Sequence, residues 1–125
     1  MNEKLTKKRV LELCLDLWTW LRDNPMKRKS LWPGWEEHQA YLNCFACEYV
    51  QQQQQERRLL ECSLCPLLSL WTKSKNKEDV DDYPCSKSYT SPYEKWLNTD
   101  SARMRAKYAG KIVDFCRKEL EREHV

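Results

Sequence analysis

The sequence predicts a mainly α, small helical domain. Three observations carry that reading. The 125-residue chain holds only two glycines, Gly34 and Gly110, whereas all-β domains need glycine for their many tight turns. Leu, Lys, Glu and Arg, which favour helices, are abundant. Apolar residues also recur at helical spacing in two long stretches, one near each end. At this length residues 1–125 read as a single domain, able to bury a core with little to spare.

The first long helix is expected over about 6–23. Val10, Leu13, Cys14, Leu17 and Leu21 fall on one face, and Leu11, Leu15 and Trp18 widen it. Thr6 is a suitable N-cap, and Asn24-Pro25 ends the helix because the residue before a proline avoids the αR region. Met26 to Gly34 is a basic connector in which Trp32 and Trp35 bracket a Pro33-Gly34 turn, and a short helix is expected from Trp35 to about Leu42.

The segment from Cys44 to about Glu61 reads as helical. Its run Gln51 to Gln55 is taken as an exposed helix or connecting loop without special function, since glutamine is a good helix former. Pro66 forces Cys65 out of the αR region, so that cysteine belongs to a turn, beside an apolar cluster of Leu67, Leu68, Leu70 and Trp71. Lys73 to Pro84 is a polar, acidic loop ending at Cys85. Ser91-Pro92-Tyr93-Glu94 is a helix start: a cap, a proline at the first helical position and a capping-box glutamate. Asp100 is expected to cap the second long helix, about 101–122, with Ala109, Ile112, Val113, Cys116 and Leu120 on its buried face.

Net charge is +3 with a pI near 8.4, well below the excess of a dedicated nucleic-acid binder. The N-terminal MNEKLTKKRV lacks the apolar core of a signal peptide, and no stretch is long enough to span a membrane, so a cytoplasmic location is expected. Thiols there stay reduced, and seven cysteines cannot all pair internally.

Those cysteines carry the one pattern with definite chemistry. Cys44-Phe45-Ala46-Cys47 and Cys62-Ser63-Leu64-Cys65 are two CxxC pairs separated by fourteen residues. Each pair places two sulfurs on one side of a helix or knuckle, and four thiolates can close a tetrahedral shell around Zn²⁺. The metal-binding segment is thus about 44–85, and the expected site is a structural four-cysteine zinc site with Cys44, Cys47, Cys62 and Cys65 as ligands. Cys85 is an alternative fourth ligand. Zinc-ribbon knuckles carry glycine after the second cysteine, whereas Glu48 and Pro66 stand there here, so a helix-rich site is expected rather than a ribbon. Cys14 and Cys116 lie on apolar helix faces and read as core residues. A thioredoxin-like redox motif would need a preceding β-strand, and none is evident. His38 and His124 read as surface residues. No phosphate loop, HExxH or Ser-His-Asp signature is present, and a closed thiolate shell leaves no place for a catalytic water, so a non-enzymatic protein is expected.

The order Asn43-Cys44-Phe45-Ala46-Cys47-Glu48-Tyr49, then Cys62-Ser63-Leu64-Cys65-Pro66-Leu67, then Cys85 and Ser91-Pro92-Tyr93-Glu94-Lys95-Trp96 resembles a group of small cysteine-rich phage and prophage proteins of Gram-positive bacteria. They pair CxxCEY with CxxCP and place a further cysteine before Tyr-x-x-Trp. Trp18-Thr19-Trp20 is a further similarity, and the glutamine run replaces a shorter, more varied linker. The resemblance covers most of the chain. It implies a phage-encoded metal-binding protein of the bacterial cytoplasm with five candidate ligands, and it implies no activity.

Two functional expectations follow. One is a zinc-stabilised interaction protein that binds a host or phage protein through Trp20, Trp32, Trp35 and Tyr49, aromatics beyond what the inferred core faces require. The competing assignment for these four is that they complete the core. The other expectation is a zinc-bearing nucleic-acid-binding regulator, with Lys4, Lys7, Lys8, Arg9, Lys27, Arg28 and Lys29 on phosphates and Gln51 to Gln55 adding hydrogen bonds.

Overall fold

A computed structural model describes residues 3–38, 44–53, 65–67, 70 and 91–123. The chain is mainly helical, with no strand among the described residues. In order come α1 (Lys7–Asp23), a 3-10 turn (Lys29–Leu31), α2 (Gly34–His38), α3 (Phe45–Gln53), α4 (Pro92–Asn98) and α5 (Ala102–Glu123). Among the described residues no helix is long and apolar enough to cross a membrane.

The start of α1 follows from its sequence. The Thr6 hydroxyl accepts the Arg9 N–H at 3.1 Å. Leu5 and Val10, just outside the cap and one turn inside it, are both buried, as in a hydrophobic staple. At the far end the Asn24 backbone N–H and side-chain Nδ2 both donate to the Trp20 carbonyl, at 2.8 and 2.9 Å. That closes the last turn before Pro25.

The capped start of α4 is present as well: Ser91 Oγ accepts the Glu94 N–H at 3.1 Å, and Pro92 opens the helix. The cap of α5 is corrected by one residue. Ser101, not Asp100, performs it, accepting the Met104 N–H on its hydroxyl at 3.3 Å and the Arg105 N–H on its carbonyl at 2.9 Å. The capping side chain must belong to the residue whose carbonyl takes the first helical bond, and Asp100 lies one position too early.

The two long helices pack against each other along their apolar faces, α4 packs on α5, and α3 packs on α1. Val10, Leu13, Leu17 and Leu21 meet Ala109, Ile112, Val113 and Cys116 in one cluster that also holds Phe45 and Trp96. Each fully buried Leu, Ile or Val contributes about 1.5–3 kcal/mol. The ion pairs Arg9–Glu3, Arg9–Glu12 and Arg122–Glu119 lie on the surface, where about 0–1 kcal/mol each is the rule. The apolar faces therefore decide the fold.

Two polar side chains tie the connections to this frame. Arg105 of α5 donates through Nε to the Pro25 carbonyl, through Nη2 to the Lys27 carbonyl at 3.3 Å, and through Nη1 to the Trp96 carbonyl at 3.3 Å. Its guanidinium also lies 4.2 Å from the centre of the Trp96 ring. Gln52 of α3 accepts the Leu5 N–H at 2.7 Å and donates to the Glu3 carbonyl at 2.9 Å.

Between α1 and α3, Trp32 turns inward and stands edge-on to Trp35 and Phe45, with ring centres 5.1 and 5.6 Å apart. Gly34 is required beneath it, because a Cβ there would stand only 2.3 Å from Trp32 Cη2. The short helix expected over 35–42 is described from Gly34 to His38, and that expected over 44–61 from Phe45 to Gln53; 39–43 and 54–61 lie outside the described residues. So do the acidic loop 73–84, Leu68 and Trp71. Leu67 is buried and Leu70 packs against the core.

Candidate metal centre

Cys44 immediately precedes α3. Its carbonyl accepts the Glu48 N–H at 3.0 Å, the first helical bond, and its Sγ accepts the Cys47 N–H at 3.3 Å. Sulfur here does what a serine oxygen does at an ordinary N-cap, and the i, i+3 spacing of CxxC makes this possible. Phe45 and Ala46, between the cysteines, are buried and press the turn onto the core, while Cys44 and Cys47 stay half-buried. Glu48 follows directly and is buried on the inner side of α3.

The second pair is described only at Cys65. Its Sγ accepts the Leu67 N–H at 3.4 Å, and Pro66 and Leu67 form a turn, as the proline requires. Leu70 N–H closes on the Leu67 carbonyl at 3.0 Å. Cys62 and Cys85 lie outside the described residues. Among the described residues no group of three or more His, Cys, Asp or Glu side chains is placed to share a metal ion, and no disulfide is formed.

Lys29 departs from the sequence expectation. The sequence groups it with Lys27 and Arg28 as basic surface, but its side chain turns inward while Lys27 and Arg28 stay exposed. Its Nζ stands 5.0 Å from the centre of the Tyr93 ring and 5.8 Å from that of Trp18. Burial works against its charge, yet the neighbouring Cys44, Tyr93, Cys14 and Cys47 more than offset this, and its pKa lies above the usual value. No local signal separates the three basic residues. Lys29 is distinguished by opening the 3-10 turn, where its carbonyl also accepts Trp35 Nε1 at 2.9 Å.

The opposite effect falls on Cys44. The hydrogen bond from the Cys47 side chain, the Lys29 ammonium and the N–H groups of Cys47 and Ala46 outweigh desolvation and pull its pKa down to about 6. Cys14 and Cys116 behave as the core residues the sequence predicts. Both are buried, and desolvation pushes Cys14 well up and Cys116 up to about 12. Cys44 and Cys65, one from each pair, both act on the buried Cys14 thiol and add to its upward shift. Cys44 thus sits in a thiolate-favouring environment, a donor chemistry that fits zinc.

The aromatic candidates separate. Trp32 is only 9% exposed and belongs to the core, because the Pro33-Gly34 turn folds it under. Trp20, Trp35 and Tyr49 are half-buried, each with one side against the core. His38 is half-buried and lies nearly parallel to the Trp32 ring, at 6.0 Å, rather than free on the surface. Of the basic N-terminal cluster, Arg9 is paired with Glu3 and Glu12. His124 lies outside the described residues. Comparison of the chain with protein-family models, with curated proteins and with solved structures found no match.

Proposed function

We propose that the chain is a small, non-enzymatic, phage-derived interaction protein in which Cys44, Cys47, Cys62 and Cys65 hold Zn²⁺ as a structural clip, with Cys85 the alternative fourth ligand. The observation that supports this most is the convergence on Cys44 Sγ: an N–H at 3.3 Å, a thiol and an ammonium all favour the thiolate. A thiol buried for packing alone has the surroundings of Cys116 instead. Zinc would join the α3 turn to the Cys65 turn and neutralise the thiolates, and four sulfurs would leave no open position for a substrate. The clip therefore belongs to the framework.

Function then lies on the surface so framed. Trp20, Trp35 and Tyr49, each half-exposed beside the core, are the contact residues of this reading, with Trp32 packed edge-on against Trp35. The partner is a host or phage protein in the bacterial cytoplasm, and occupation of its surface is the mode of action, as in counter-defence. Metal analysis of purified protein should find about one Zn²⁺ per chain, and chelation should remove helical signal in circular dichroism. Cys44→Ser and Cys65→Ser should lose the metal, while Cys14→Ala should keep it. Metal-free protein with its full helical signal would end the zinc clip. Trp20→Ala, Trp35→Ala and Tyr49→Ala should each lose a captured protein partner without losing zinc; unchanged capture would remove these residues from the contact surface.

A further inference from the structure

We infer that the outward face of α5, with Lys95 of α4 beside it, is a binding ridge for the phosphate backbone of a single nucleic-acid strand. This rests on residues other than the N-terminal basic cluster, and it stands whether or not the cysteines hold zinc.

Arg103, Lys107, Lys111 and Lys118 are all exposed on α5. Spacings of four, four and seven residues put them on one stripe facing away from Ala109, Ile112 and Cys116. With a rise of about 1.5 Å per residue the first three stand about 6 Å apart along the helix. Among the described residues none of the four has a carboxylate within ion-pair distance, although Arg9, Arg22 and Arg122 do. Asp114, between Lys111 and Lys118, and Glu121, three residues past Lys118, are the acids on this face.

Tyr108 organises one flank. The Nζ atoms of Lys95 and Lys111, from two different helices, stand 5.8 and 5.7 Å from the centre of its ring. A carboxylate in that place would cancel their charge. A π face attracts two ammonium groups and leaves both charged. The fold thus brings two ammonium groups to one aromatic ring while both keep their charge for an external anion. The mild overall charge of +3 does not oppose this, because the excess is local.

The ligand class follows from shape. The charges form a stripe one residue wide and about 22 Å long from Arg103 to Lys118, which suits a flexible chain of regularly spaced anions. A membrane surface would call for large apolar side chains among the cations. The large apolar side chains exposed among the described residues are Met26, Leu31 and Leu97, none of them on α5.

Fluorescence anisotropy with a labelled oligothymidylate tests the ridge. Binding should weaken steeply with salt, and the double variant Lys107→Gln/Lys111→Gln should reduce the log–log slope by about 0.7 per lost contact. Tyr108→Leu should weaken binding several-fold while Tyr108→Phe preserves it, and Asp114→Asn should tighten it. Lys4→Gln/Lys7→Gln/Lys8→Gln should change little. All but those at Tyr108, which packs against the core, are surface substitutions, and circular dichroism checks that the fold survives in every variant. No binding at low salt would overturn the inference. So would loss only in the N-terminal variant, tighter binding to a duplex of the same length, or binding to phosphatidylserine vesicles in place of the oligonucleotide.

Discussion

Gln52 holds Leu5 and Glu3 with the two ends of one amide: Oε1 accepts the Leu5 N–H at 2.7 Å, and Nε2 donates to the Glu3 carbonyl at 2.9 Å. The helix that begins at the first CxxC pair is thereby tied to the segment leading into α1. Gln52→Ala should destabilise the protein by about 1–2 kcal/mol, with faster amide exchange at Leu5. Gln53→Ala, one residue on and exposed, should stay within about 0.5 kcal/mol. Denaturant titration of the pair checks this, and equal effects would mean that the amide bridge contributes nothing.

The two glycines should respond to alanine with opposite signs. Gly34→Ala drives a methyl against the Trp32 ring and should destabilise by about 1–3 kcal/mol. Gly110 lies within α5, and its added Cβ would meet only Arg22 Cδ at 3.7 Å, an ordinary contact. Gly110→Ala should therefore stabilise by about 0.5–1 kcal/mol. Thermal melts of both variants are the measurement.

Arg105→Lys should behave as a severe change despite conserving charge. A single ammonium cannot reach the Pro25, Lys27 and Trp96 carbonyls together or lie flat on the Trp96 ring. A loss of about 1.5–3 kcal/mol is expected in denaturant titration, close to that of Arg105→Ala.

The metal-free protein should be most stable near pH 9. Cys44 has a folded pKa of about 6, below the ordinary thiol value, so the unfolded chain binds the extra proton between about 6 and 9 and stability rises with pH there. It is lost as pH falls through 6. Cys14 and Cys116 are raised, so above about 9 the unfolded chain releases protons that the folded one keeps, and stability falls. Lys29, raised as well, adds to the alkaline fall. Urea midpoints across pH 5–11, with Lys29→Met flattening the acidic limb, test this assignment.

The helical frame is legible because it is written in local and periodic signals. Thr6, Asn24 and Ser91 act within a few residues of where they stand, and the apolar stripes of α1 and α5 repeat at the helical period. What is not legible depends on distant partners. Lys29 sits beside two basic neighbours and is chosen by the ring of Tyr93, far along the chain. Gln52 lies in a run of five glutamines, and only the arrival of Leu5 distinguishes it. Trp32 reads as a partner contact in the sequence because its burial depends on a turn geometry that spacing alone does not encode. Of the candidate site, the Cys44–Cys47 turn is readable from CxxC, whereas the ammonium placed against it is not.

Arg105 spans two acceptors in the turn that leaves α1, the carbonyls of Pro25 and Lys27. A planar, rigid fork cannot follow either acceptor if the chain between them changes length. Inserting or deleting one residue within 24–28 would move a carbonyl out of reach and rotate Lys29 away from Cys44. The connector between the first two helices is a gauge rather than a spacer, and tolerance to length variation should be sought elsewhere in the chain.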